Sequence, residues 1–277
     1  MTRHHETRLN RVLDYIHDNP AGDLSLDRLA EVAALSRFHF HRLWRAMTRE
    51  TAAQTVRRMR LHRAAVALVS KETPVAKIAS EVGYPDADSF ARAFTELYGL
   101  PPSTYRRRGQ HRPPILPAPT GDAPMPDVTI RTEPRRRLAA IAHAGPYHEI
   151  GRAFEKLHAT LAVRGLLPQA GKTAALYYDD PASVAPERLR AHAGITLPET
   201  AGIAAPLEEV VIAGGRTAVM THRGPYAGLP AGWEELFGWL ASSGEVPADQ
   251  PAYELYLNTP MEVRQDDLLT DICVPLR

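Results

Sequence analysis

One cysteine, Cys273, stands in a chain of 277 residues. An internal disulfide is therefore excluded, and a reducing, cytoplasmic setting is expected. Cys273 lies in an apolar, strand-like run and reads as an inert core residue. No apolar run approaches the ~18–20 residues of a membrane span, so no membrane contact is expected. Met1-Thr2-Arg3-His4-His5-Glu6 leads straight into a charged amphipathic segment and does not read as a signal peptide. The sequence has no metal-ligand spacing, no phosphate loop and no nucleophile elbow, so no metal, cofactor or catalytic residue is expected.

A hydrophobic content of 44% and a charged content of 23% describe a globular chain, and its length predicts two domains, each with its own core. The net charge of +1 conceals an asymmetry. Residues 1–112 hold 19 Lys and Arg against 12 Asp and Glu, whereas residues 113–277 hold 14 against 20. The front part is the electrostatic partner for a polyanion, and the rear part is not.

The front part contains one short pattern twice. Ile78, Ala79 and Val82 form the inner stripe of a short helix, and Gly83 sits where only glycine takes a left-handed cap without strain. Asp86 or Asp88 can cap the next helix, whose Phe90, Ala93 and Phe94 face back. The earlier copy reads Leu29, Ala30 and Ala33, then Ala34-Leu35-Ser36 as turn and cap, then Phe40, Leu43 and Trp44. Phe40, Arg42 and Trp44 match Phe90, Arg92 and Phe94 at a spacing of 50. Each copy is a helix-turn-helix, and two of them point to double-stranded DNA. A long helix, Thr55 to Ser70, holds the units apart.

Residues 109–127 contain six prolines and few large apolar groups, and read as an extended linker. Beyond it a second repeat runs at a constant offset of 79. His143-Ala144-Gly145-Pro146-Tyr147 returns as His222-Arg223-Gly224-Pro225-Tyr226, Phe154 as Trp233, and Tyr177 as Tyr256. Each copy reads strand, Gly-Pro turn, helix, then two strands. The fold class expected is an all-α double helix-turn-helix domain (residues 1–108), the linker (109–127), and an α+β domain (128–277) of two pseudo-twofold β-α-β-β repeats. A cleft on the pseudo-axis is the natural ligand site.

Residues 8–108 resemble the DNA-binding domain of the AraC/XylS family, through the two units above and the ending Phe94-Thr95-Glu96-Leu97-Tyr98-Gly99-Leu100-Pro101-Pro102-Ser103-Thr104-Tyr105-Arg106. Residues 128–277 resemble a gyrase-inhibitor-like (GyrI-like) effector-binding domain, through the Gly-Pro-Tyr turns, Tyr253-Glu254-Leu255-Tyr256-Leu257-Asn258-Thr259-Pro260 and Leu268-Leu269-Thr270-Asp271-Ile272-Cys273-Val274-Pro275-Leu276. The order is similar to the Rob branch of the family. The resemblance implies a sequence-specific transcription regulator whose rear domain senses a small, apolar or cationic effector, with RNA polymerase as a further candidate partner. The rival implied class is a hydrolase of electrophilic small molecules fused to a DNA-binding domain; a third is a rear domain that only binds another protein.

Candidate DNA contacts follow from the recognition helices. Phe38, His41 and Arg42 lie opposite Phe40, Leu43 and Trp44. Arg42 suits guanine O6 and N7, His41 a base or phosphate, and Phe38 a thymine methyl; these positions also match base-contacting positions of the resembled family. Asp88, Ser89 and Arg92 are the corresponding set in the second unit, with Asp88 equally readable as a cap. Arg45 and Arg106 read as phosphate contacts.

In the rear domain, whatever both copies share is explained by the fold they share, which covers Gly145, Pro146, Gly224 and Pro225 and favours a structural role for His143 and His222 over acid–base work. Glu254 breaks the repeat, because its counterpart is Ala175. Strand alternation puts Glu254 and Tyr256 on one face. A buried lone carboxylate among aromatic rings describes a receptor for a cation, and the resemblance also implies an effector-contacting glutamate at this motif. The alternative is an exposed strand residue. Tyr147, Tyr177, Tyr226, Trp233 and Trp239 are the candidate cleft walls, and the strand of Ala175 is expected to lie across the pseudo-axis.

Overall fold

The computed structural model describes residues 3–109 and 126–277; residues 110–125, the body of the expected linker, lie outside them. The front part consists of α1 (Arg3–Asp18), α2 (Leu26–Ala33), α3 (Arg37–Thr48), α4 (Ala52–Ser70), α5 (Val75–Glu81), α6 (Ala87–Tyr98) and α7 (Pro102–Arg108). Side-chain oxygens satisfy the orphan N–H groups at the helix starts. Ser25 accepts from the Arg28 N–H, Ser36 from that of His39, and Asp86 from that of Ser89. Asp86 is thus the cap of α6, and Asp88 is left exposed in its first turn. Thr51 and Gln54 form a reciprocal capping box, which starts α4 at Ala52, three residues before the expected Thr55.

Val12, Leu29, Phe40 and Trp44 belong to the core of the first unit, and Leu61, Ile78, Phe90 and Phe94 to that of the second. The outer arginines of α4 tie the two together. Arg60 Nε donates to the Pro20 carbonyl at 2.7 Å, Arg63 to that of His17 at 2.7 Å, and Arg57 pairs with Glu96. No helix among the described residues is long and apolar enough to cross a membrane.

The rear part runs β1 (Thr129–Glu133), β2 (Arg136–Ala144), α8 (Gly151–Val163), β3 (Thr173–Tyr177), β4 (Arg190–Thr196), β5 (Glu208–Ile212), β6 (Gly215–Arg223), α9 (Leu229–Ser243), β7 (Ala252–Tyr256) and β8 (Leu269–Pro275). The strands form one antiparallel sheet in the order β1-β6-β8-β7-β3-β4-β2-β5. Each repeat therefore has the expected β-α-β-β core preceded by one more short strand, β1 or β5. These edge strands are short and mostly exposed, so their apolar period is faint. Each pairs with the other copy, β1 with β6 and β5 with β2, and so knits the halves together.

The offset of 79 holds for every strand, and the pseudo-axis passes between β3 and β7. Helices α8 and α9 cover one face of the sheet. On the other, Leu138, Leu176, Val219 and Tyr253 pack together as the curled sheet closes over them. Helix α3 lies against α9, and Phe38 and Leu43 belong to the same apolar cluster as Trp233, Leu236 and Phe237. Full burial of a phenylalanine such as Phe38 contributes about 1.5–3 kcal/mol.

Gly83 sits at φ +83°, and a Cβ there would stand 2.6 Å from the Pro20 carbonyl oxygen and 2.8 Å from Arg60 Nη2. Gly83→Ala combines positive-φ strain with a clash against backbone, and is expected to destabilise the front part by about 2–3 kcal/mol. Urea unfolding followed by circular dichroism measures it; an unchanged midpoint would show that the turn adapts.

Candidate functional site

Strand β7 turns Glu254 and Tyr256 toward the helices, while Tyr253 and Leu255 join the opposite face. Glu254 is 2% exposed, so the alternative of an exposed strand residue does not hold. Its carboxylate is held by three donors. Tyr177 Oη and Tyr256 Oη donate to Oε2 at 2.7 and 2.8 Å, and Trp233 Nε1 donates to Oε1 at 2.7 Å. Burial raises the Glu254 pKa, opposed by these three bonds and by the positive charge of Arg42. Burial and the neighbouring carboxylate also push the Tyr177 and Tyr256 hydroxyls well up, which keeps them protonated as donors.

The other rings close around this group in pseudo-symmetric pairs. Tyr147 meets Tyr177 at 4.8 Å and Tyr226 meets Tyr256 at 5.4 Å, centroid to centroid. Phe154 of α8 reaches Tyr256 at 5.6 Å, and Trp233 of α9 reaches Tyr177 at 6.0 Å. The exchange of Phe154 for Trp233 between the copies is explained by Glu254, since only the indole carries an N–H to give it. Tyr147 also fixes the loop after β3, donating to the Asp179 carbonyl at 2.6 Å. Trp239 is half-buried on another side of α9, and none of the contacts around Glu254 involves it. Ala175 lies across the pseudo-axis, as expected, and is the direct cross-strand partner of Glu254. His143 and His222 bond the carbonyls of Pro146 and Pro225 at 3.0 and 3.2 Å, which gives both the structural role of pinning a turn.

The candidate DNA contacts of α3 are not on a solvated face. Phe38 is 5% exposed and lies edge-on to Trp233 and Phe237, at 6.3 and 5.9 Å. Arg42 places its guanidinium carbon 4.9 Å from the Phe38 ring, 5.1 Å from Trp233 and 5.3 Å from Phe237. Asp180, in the loop after β3, bonds His41 Nδ1 through Oδ2 and lies 3.8 Å from Arg42 Nε through Oδ1. Burial pulls the Arg42 pKa down, and the negative charges of Asp180 and Glu254 oppose it. Burial alone would raise the Asp180 pKa, but the His41 bond and the Arg42 charge outweigh it and hold the carboxyl low.

Arg45 is exposed and pairs with Glu234 of α9 at 3.5 Å. In the second unit Asp88 and Arg92 are exposed and Ser89 is half-buried at the helix start. Arg106 donates to the carbonyls of Leu68 and Thr73, which ties α7 to the end of α4. Asp180 and Phe237 were not foreseen as site residues. A signal existed, because at the offset of 79 Asp180 pairs with Thr259 and Phe237 with His158, so both break the repeat as Glu254 does. Among the described residues, no cluster of His, Cys, Asp and Glu could hold a metal ion.

Each of the two parts has known counterparts. Residues 126–277 match the GyrI-like small molecule binding domain, and residues 29–108 match a helix-turn-helix domain. The chain belongs to the AraC-type regulators and carries a GyrI-like domain. Regulatory protein SoxS of Salmonella typhimurium is 30% identical over 104 residues, which are 38% of this chain and 97% of that protein. The MmsAB operon regulatory protein of Pseudomonas aeruginosa is 36% identical over 94 residues; they are 34% of this chain and only 31% of that protein. The crystal structure of the EcmrR C-terminal domain superposes with a TM-score of 0.46 at 15% identity, covering 55% of this chain and 97% of that one.

The contact between the AraC-type and GyrI-like domains carries a titrating group. His39 lies 6.2 Å from the Phe237 ring, and burial, then the nearby Arg42 charge, lower its pKa from 6.5 to about 3. Between those two values the released imidazole binds a proton that the docked one does not. The stability present above pH 6.5 is therefore lost as pH falls toward 3. His39→Gln is expected to flatten this loss, by up to about 1.4 kcal/mol per pH unit. Denaturant titrations of both proteins across the window measure the difference, and equal pH slopes would show that His39 is not held neutral.

Proposed function

We propose that this AraC-type DNA-binding regulator senses a small aromatic cation in the GyrI-like domain, at the cleft built on Glu254. The observation that carries the reading is a carboxylate placed on the pseudo-axis, where the fold itself needs only alanine, and walled by Tyr177, Tyr256 and Trp233. Aromatic faces and a desolvated negative charge together select a delocalised cation over its neutral isostere. Both carboxylate oxygens accept hydrogen bonds, so Glu254 acts as a held charge rather than as a free base. That favours a receptor over the hydrolase alternative, and the regulators to which the chain is similar fit the same choice.

On the DNA side, the two recognition helices α3 and α6 would enter successive major grooves, roughly 34 Å apart on one face of the duplex. Arg42, His41 and Phe38 would read bases from α3, and Arg92, Ser89 and Asp88 from α6, with Arg45 on a phosphate. Arg106 serves that purpose less well, since its donors already meet backbone carbonyls.

Isothermal titration of the full chain with benzamidinium and with neutral benzamide tests the cleft. The wild-type chain should prefer the cation by about tenfold or more, a difference of about 1.4 kcal/mol. Glu254→Gln keeps shape and hydrogen bonding but removes the charge, and should erase most of that preference. Equal binding of both ligands by both proteins would place the cation site elsewhere.

A further inference from the structure

The α3 face that suits DNA packs against Trp233, whose indole N–H holds Glu254, and Arg42 lies in that contact with its charge felt at the carboxylate. We propose that Arg42 is the resident occupant of the effector cleft, and that a planar amidinium or guanidinium ligand displaces it and frees α3 to enter DNA. This rests on the cation reading of the cleft.

Arg42 has the chemistry of such a ligand. Its delocalised cation lies 5.1 Å from the ring of Trp233, whose indole also binds Glu254, and 5.3 Å from that of Phe237. A compact ammonium would not stack in this way, so the occupant itself indicates the ligand class. The hold is also loose. The 3.8 Å approach of Asp180 to Arg42 Nε is an ion pair, and that nitrogen has no hydrogen-bond partner. A buried cation held in this manner can be exchanged for one that fits the carboxylate better.

The repeat shows that the docking face is built for its occupant. On α9, Phe237 faces α3, while its counterpart on α8, His158, is exposed to solvent. Asp180 receives His41, while its counterpart Thr259 bonds only within its own turn, to Glu262. Trp233 and Glu254 replace Phe154 and Ala175. The fold needs none of these four residues, since the counterpart of each, in the other copy, is a different residue; Asp180, Trp233 and Phe237 meet α3, and Glu254 holds Trp233 from behind. A helix seated against α9 cannot lie in a major groove, so the two states exclude each other. Ligand and DNA then raise each other's affinity by the same factor.

The test uses the full chain, benzamidinium, benzamide as control, and a duplex enriched from a random pool by the Asp180→Asn protein and, separately, by Arg277→Ala. Asp180→Asn removes the charge that anchors His41 and Arg42 but leaves Glu254 and α3 unchanged. Saturating benzamidinium should raise the wild-type affinity for the duplex about tenfold, and benzamide should not. Asp180→Asn should bind the duplex as the ligand-saturated wild type does, gain nothing further from ligand, and bind benzamidinium more tightly than the wild type. Arg277→Ala removes an exposed link to the Ala34 carbonyl (3.1 Å), and should release α3 in the same direction even if Asp180→Asn folds poorly. If benzamidinium binds through Glu254 while wild-type DNA affinity stays the same or falls, the competition is wrong and the cleft reading survives. If benzamidinium binds neither the wild type nor the released variants, the cleft reading fails and the proposal fails with it.

Discussion

A guanidinium taken out of water must be met by something, and in this protein Arg42 is met from both domains. Phe38 of its own helix and Trp233 and Phe237 of α9 supply faces and edges of rings, and Asp180 supplies charge. Without the rear domain these groups would return to solvent, and without α3 the Trp233 and Phe237 rings would lose the partners that cover them. The relative placement of the two domains therefore depends on a charge–aromatic contact. A contact of that kind is directional, and a competing cation can replace it in a way that a purely apolar seam would not allow.

The same reasoning explains why the internal repeat is imperfect where it is. Glycines, prolines and histidines of the two Gly-Pro turns are kept in both copies because both must make the same corner. Glu254, Trp233 and Phe237 of the second copy and Asp180 of the first differ from their counterparts because each meets a partner that its counterpart lacks. Two of them form the buried carboxylate with its indole donor, and two hold the recognition helix. The asymmetry thus marks a single buried seam, from Glu254 on β7 through Trp233 to Phe237 on α9.

Much of this was legible in the sequence. The Gly83 turn, the Ser36 cap and the offset of 79 each rest on local chemistry, and each recurs in the structure. Glu254 could be singled out because a sister copy showed what the fold requires. The strands β1 and β5 were not legible, since Thr-Ile-Arg-Thr-Glu and Glu-Glu-Val-Val-Ile are short and border solvent. The docking of α3 escaped for a deeper reason. A phenylalanine, a histidine and an arginine on one helix face suit base edges, and they suit aromatic rings and a carboxylate equally well. Periodicity shows that such a face points outward but does not show what covers it, and the contact spans 139 residues of sequence between His41 and Asp180.

Hydroxyl-radical footprinting of the full chain, free and saturated with duplex DNA, tests most directly whether one helix face serves both purposes. In the free chain Phe38, Trp233 and Phe237 should all resist oxidation, as their burial requires. On DNA, Trp233 and Phe237 should become reactive as α3 leaves α9, while Phe38 stays protected in its new contact. Unchanged protection of Trp233 and Phe237 in the DNA complex, or a reactive Phe38 in the free chain, would contradict the account.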